Sequence, residues 1–200
     1  AIGRDATSAQ NAVTLGWGSN GSGYGALVLG TTAEQYKTGD ASRVASASGT
    51  YAVSVGAGAQ AGQNYSMAFG TNTTANGEYA VAVGYKSSAS SESAISIGKE
   101  SKAEDQNAIA IGIDSNAKTT DSIAIGNTAK ATGAVSTALG ARAEALGTSA
   151  VAVGINAKAK KDQATALGFS AQANEKNSVA LGYGATSSKE NAVALGSAST

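Results

Sequence analysis

From Gly56 onward a glycine recurs every fourteen residues without a slip: Gly56, Gly70, Gly84, Gly98, Gly112, Gly126, Gly140, Gly154, Gly168, Gly182 and Gly196. Each closes a short apolar run, as in Ala80-Val81-Ala82-Val83-Gly84 and Ala108-Ile109-Ala110-Ile111-Gly112. A fixed period this short is the mark of a solenoid, in which each repeat buries its apolar face only against its neighbours. Such a chain works through its surface and its assembly, and a deep pocket is not expected.

Numbering each repeat from the residue after its glycine sorts the chain into columns. Positions 3 and 5 are small, as in Ala59/Ala61, Ser115/Ala117, Ala129/Ala131 and Ala157/Ala159. Positions 2 and 4 are mostly polar, as in Glu100/Lys102, Asp114/Asn116 and Arg142/Glu144. That alternation predicts a strand with one wet and one buried face. Position 7 is often glycine (Gly49, Gly77, Gly133, Gly147), which predicts a tight turn there. Positions 10 to 13 predict a second strand, with Ala or Ser at 10 and 12 and mostly Val, Ile or Leu at 11 and 13. A helix is disfavoured, because a fixed glycine and two turns leave segments of only about five residues, the usual strand length. The expected fold is all-β: a parallel β-roll, or solenoid, of fourteen-residue coils with two strands each, forming one domain over residues 1–200.

The second strand is apolar on both faces, and its own chain can cover only one of them. A second copy is the expected cover, with cyclic symmetry the default closure. The packing residues so identified are Val81, Val83, Ile95, Ile97, Ile109, Ile111, Ile123, Ile125, Val151, Val153, Leu167, Val179, Leu181, Val193 and Leu195. The sequence leaves open which column turns inward. The expectation adopted is an alanine-rich interior with the bulky residues at the symmetry axis.

Composition narrows the function. Aromatics are only 5% of the chain, so any core is thin and built of small side chains. Fourteen Lys and Arg balance fourteen Asp and Glu, which argues against nucleic acid as a partner. There is no Cys, His or Pro. Thiol nucleophiles, disulfides and the commonest general base and metal ligand are therefore missing. The aspartates form no repeated calcium-roll array, and the glycines form neither a GxGxxG nor a GxxxxGK phosphate loop. No catalytic residue, cofactor site or metal site is expected. No apolar run reaches the eighteen residues that crossing a bilayer as a helix requires. The chain opens on Ala1-Ile2-Gly3, inside a repeat, and reads as part of a longer one.

The beat fails between Gly30 and Gly56, which lie twenty-six residues apart and imply an insertion of about twelve, placed at Thr31 to Ser42. Its polar residues suit either a tolerated surface loop or a recognition loop. Tyr51, Tyr65 and Tyr79 all fall at position 9 and should stack on successive coils. Such a ladder stabilises stacked strands and also offers a platform to a protein ligand. The candidate ligand contacts are Glu34, Gln35, Tyr36, Lys37, Asp40, Tyr51, Tyr65 and Tyr79. Position 1 carries Trp17, Tyr85, Ile113, Ile155, Phe169 and Tyr183, expected partly buried at the coil corner or subunit seam.

The pattern of Ser122-Ile-Ala-Ile-Gly126 followed by Ala129, Ala131 and Gly133 resembles the head repeats of YadA-like trimeric autotransporter adhesins, over about Gly3 to Gly196. The resemblance implies a left-handed roll and a homotrimer displayed on the outer surface of a Gram-negative bacterium. It also implies a membrane contact only through a C-terminal anchor outside this sequence, beyond a neck and stalk that are likewise outside it. Heads of this type bind host extracellular matrix, host cells or surfaces. The implied function is thus adhesion, with a passive spacer carrying a separate binding tip as the alternative. An ice-binding solenoid would need a regular Thr array, and a β-helical acyltransferase would need a longer coil and usually a His; neither is present.

Overall fold

The computed structural model describes residues 1–31 and 44–200. They divide into two compact units, Ala1–Ser101 and Lys102–Thr200. Each is a parallel β-solenoid without helix among the described residues. In the first unit one sheet stacks Thr7–Ser8, Asn20–Gly21, Ser46–Ala47, Gln60–Ala61, Thr74–Ala75 and Ser88–Ala89. The facing sheet stacks Val13–Leu15, Leu27–Leu29, Val53–Val55, Met67–Phe69, Val81–Val83 and Ile95–Ile97. The second unit repeats the scheme, from Lys102–Ala103 to Thr186–Ser187 in one sheet and from Ile109–Ile111 to Val193–Leu195 in the other.

Register follows the glycine beat, so like columns stack on like: Val81 pairs with Ile95, Ala82 with Ser96 and Val83 with Ile97. Across the break, Leu27 pairs with Val53 and Leu29 with Val55. The strands on either side of the break therefore pair in the same register as the rest of the ladder.

The interior is alanine. Position 3, 5, 10 and 12 residues such as Ala59, Ala61, Ala80 and Ala82 are fully buried, and among the described residues the only buried side chain as large as valine is Val28. The expected alanine-rich interior is observed, and the bulky residues of positions 11 and 13 point out of the roll because strand side chains alternate. A buried alanine gains about 0.8 kcal/mol for its methyl, against about 1.5–3 kcal/mol for a buried Val or Ile. The coil thus keeps its larger apolar gain on the outside.

Two turns close each coil; one opens at position 7, as its glycines lead one to expect, but the glycine is not the residue that takes the left-handed conformation. Gly49, Gly77, Gly133 and Gly147 are absent from the left-handed residues. The left-handed residues are instead at position 2, with Asn72, Lys86, Asp114 and Asn156 at φ 54–59°, and at position 9, with Tyr65, Asn107, Asp121 and Asn177 at φ 56–58°. Backbone bonds spanning these turns run from the Ala59 N–H to the Gly56 carbonyl at 3.3 Å and from the Ser66 N–H to the Gln63 carbonyl at 3.2 Å. A positive φ at the third residue of such a turn is the type II arrangement, for which Gly and Asn are best suited. Serine reinforces the same turns: Ser115 Oγ donates to the Gly112 carbonyl at 3.0 Å and Ser178 Oγ to the Glu175 carbonyl at 2.6 Å.

The beat glycine has a separate cause. Gly112 holds φ 129°, and a Cβ there would lie 2.5 Å from the carbonyl oxygen of Gly126 in the next coil. Only a residue without a Cβ permits that approach.

Candidate functional site

Once the interior is filled, three outward surfaces stand out among the described residues, besides the corner formed by position 1. The first is the apolar face of the second-strand sheets. Val81, Val83, Ile95, Ile109, Ile111, Ile123, Ile125, Val151, Val153 and Val179 are half-buried, each beside fully buried alanines or serines that face the interior. Ile97, Leu167, Leu181, Val193 and Leu195 are exposed, the last two by about 70%. Within each unit these columns form continuous apolar stripes. Contiguous exposed apolar surface of this kind marks an interaction site rather than scattered surface residues.

The second surface is polar and lies on the first-strand sheets. In the second unit a shallow groove is lined by Thr128, Lys130, Arg142, Glu144, Asn156 and Lys158. Lys158 Nζ lies 3.3 Å from Glu144 Oε2, and Arg142 Nε donates to Asn156 Oδ1 at 2.7 Å. Exposed pairs of this kind contribute at most about 1 kcal/mol, so the groove is a solvated face with local charge pairing.

The third surface is the tyrosine ladder, all of it in the first unit. Tyr51 and Tyr65 stack with ring centroids 5.8 Å apart, and Tyr65 and Tyr79 at 5.2 Å with rings parallel to within 1°. The ladder forms because position 9 is left-handed in every one of these coils and the coils are in register. The Tyr65 N–H donates to the Thr50 carbonyl at 2.9 Å and the Tyr79 N–H to the Asn64 carbonyl at 3.1 Å, which ties each rung's backbone to the previous coil. Tyr24 completes one end edge-on to Tyr51, at 5.8 Å and 85°. Sequence columns missed it because it occupies position 8, one step off the tyrosine column. Its neighbour Gly25 makes the space: a Cβ there would lie 2.7 Å from the Tyr51 ring.

Of the sequence-derived ligand candidates, the structure brings together Tyr51, Tyr65 and Tyr79. Glu34, Gln35, Tyr36, Lys37 and Asp40 lie outside the described residues. At the other corner, Trp17, Tyr85, Ile113, Ile155, Phe169 and Tyr183 are between 40 and 65% exposed. Phe169 and Tyr183 stack there at 5.3 Å, and Lys86 Nζ sits 5.1 Å from the Tyr85 ring centre. Among the described residues no group of three or more acidic residues is placed to hold a metal ion, and no helix is long and apolar enough to cross a membrane.

The family model for the YadA head domain repeat matches residues 47–73, 63–87, 75–101, 89–115, 117–143, 145–171 and 173–199. Among solved structures the chain is similar to the collagen-binding domain of the Yersinia adhesin YadA. The two are 28% identical over 86% of this chain and 80% of that one, with a TM-score of 0.41. No curated protein matches the chain. The seven family matches cover most of the sequence and follow the same glycine beat that sets the register of the coils. The chain therefore belongs to the YadA head family, as the head of a YadA-like trimeric autotransporter adhesin.

Proposed function

We propose that this head attaches a bacterium to host extracellular matrix proteins or host cells through the exposed faces of a homotrimeric roll. The roll stands on the cell surface, and a C-terminal outer-membrane anchor elsewhere in a longer chain holds it there. Two surfaces divide the work. The outward apolar columns of the second-strand sheets pack between copies, because a sheet face of Val, Ile and Leu costs free energy when left in water. The corner columns stay outside and meet the ligand.

The observation that carries the reading is the tyrosine ladder. Tyr51, Tyr65 and Tyr79 remain 43–52% exposed although they are among the largest side chains in the unit. Stacking fixes their geometry in advance, so binding them costs little conformational entropy. Tyrosine is also enriched where protein interfaces concentrate their affinity.

The test is solid-phase binding of the purified head to collagen, fibronectin, laminin and epithelial cells. Saturable binding to at least one, weakened about tenfold in Tyr65→Ala, is the expected result. Absence of binding to all of them would make the head a spacer for a tip carried elsewhere. Deleting residues 31–42 in the same assay separates a recognition loop, whose loss removes binding, from a neutral insertion.

A further inference from the structure

Columns that are polar along the second unit turn apolar at one corner of it. Position 6 is polar in the other coils of that unit, as in Lys118, Thr132 and Lys160, but holds Leu146 in one. Position 9 is likewise polar there, as in Asn107, Asp121 and Gln163, except at Val135 in the coil before Leu146. Ala134 at position 8 departs in the same way beside Val135. These departures do not serve the interior. Val135 is 57% and Leu146 39% exposed. Val135 also holds a left-handed φ of 55°, which a β-branched residue adopts only at a cost. Apolar residues scattered singly over a surface are ordinary, but two on adjacent coils at one corner, one of them strained, form a patch. A contact between copies running along the roll makes a column apolar over its length, as positions 11 and 13 are. A patch two coils tall is a local contact instead.

The setting of the patch is cationic on its sheet side. Arg142, Glu144 and Leu146 alternate along one coil and point outward together. Glu144, two residues from Leu146, lines the shallow groove with Lys130, Arg142 and Lys158. The one carboxylate of that groove is already paired, since Lys158 Nζ lies 3.3 Å from Glu144 Oε2. Arg142 donates its Nε–H to Asn156 Oδ1 at 2.7 Å, which holds the guanidinium in place and leaves its terminal N–H groups to face solvent. Lys130, and Lys160 one coil on from Leu146 in the same column, are exposed and form no ion pair among the described residues. The carboxylates on the turn side are spoken for: Asp121 accepts from Asn107 Nδ2 at 2.9 Å and Asp162 from the Thr148 N–H at 2.9 Å.

We propose that the corner formed by Val135 and Leu146, with its cationic flank, docks an acidic peptide segment of a protein ligand. A bulky apolar side chain of the segment covers Leu146 and Val135. Carboxylates one or two residues away meet Lys130, Lys160 and the outer N–H groups of Arg142. The apolar pair selects a peptide over an anionic polysaccharide, whose hydroxyl-rich surface gains little by covering a leucine. The flank selects an acidic segment over a basic one. The site rests on the adhesive reading only for the origin of the segment; its chemistry stands or falls separately.

The test is NMR of the intact head labelled at its Leu and Val methyl groups, titrated with three end-capped tripeptides and with dextran sulfate. Phenylalanyl-glutamyl-aspartate should shift the Leu146 and Val135 methyl signals saturably. Glycyl-glutamyl-aspartate and phenylalanyl-lysyl-lysine should act about fivefold more weakly, as should the first peptide on Lys130→Gln/Lys160→Gln. Leu146→Asn, at a position where other coils carry polar residues, should abolish the response at Val135. Equal responses to the three peptides, no shift at either residue, or a Val135 response that survives in Leu146→Asn would overturn the proposal. Dextran sulfate acting on these methyls as strongly as the first peptide would overturn it in favour of a polysaccharide. Intermolecular NOEs from these methyls in a head of mixed labelled and unlabelled chains would overturn it in favour of a second copy. No matrix protein or cell enters the titration, so its outcome is independent of the binding panel.

Discussion

Val135 and Ser136 show how a repeat tolerates residues that fit it badly. Val135 occupies left-handed position 9 at φ 55°, where its branched Cβ crowds the backbone. Its counterparts Asn107 and Asn177 take the same φ of 56° with a side chain that suits it. Val135→Asn should therefore stabilise the head by about 1 kcal/mol, seen as a raised Tm; a lowered Tm would mean that the exposed valine is covered by another surface. Beside it, the buried Ser136 hydroxyl has no hydrogen-bond partner, unlike Ser122 and Ser178, which donate to the carbonyl three residues back. Several other coils carry alanine there, such as Ala80, Ala108 and Ala150, all fully buried. Ser136→Ala should raise stability by about 1 kcal/mol in chemical unfolding, because an unpaired buried hydroxyl costs that much. A loss instead would place a bound water on the hydroxyl. These misfits sit in a sequence whose columns already showed what belongs there. The left-handed positions themselves were harder to see. Position 9 holds Tyr, Ser, Val, Gln, Asn and Asp, and position 2 is as mixed, so the Asn, Asp and Gly signal of a type II turn is diluted. Position 7 drew attention by its glycines, yet the conformational demand lies two residues later.

At the scale of the coil, the glycine beat and the small columns specify different things. The small columns set the thickness of the interior, and the period-two pattern that reveals them was legible because almost all the side chains between the two sheets are alanine or serine, with Val28, Thr14 and Thr73 as exceptions among the described residues. The glycine sets how closely one coil follows the next. Gly112→Ala should cost about 3 kcal/mol, combining a backbone conformation that only glycine adopts readily with a Cβ placed 2.5 Å from the Gly126 carbonyl oxygen. Thermal unfolding followed by circular dichroism measures it, and a wild-type Tm would mean that the coils can separate without penalty. The tyrosine ladder is a product of the same stacking. Its existence could be read from the spacing of Tyr51, Tyr65 and Tyr79, whereas its edge-on partner Tyr24, which joins from the neighbouring column, could not.

At the scale of the whole molecule, the second strand of each coil is apolar on both faces in each unit. The alanine face is inside and fully buried, and the Val, Ile and Leu face is outside. Leu139 and Leu167, in strands paired on both sides, are 43% and 42% exposed. What covers that face is the central claim, since a chain of net charge zero with such stripes in water would be prone to associate. Sedimentation equilibrium of the purified head decides it. The account predicts a single species of about three times the 19.4 kDa chain mass, unchanged on dilution through the micromolar range. A stable, well-folded monomer would contradict it.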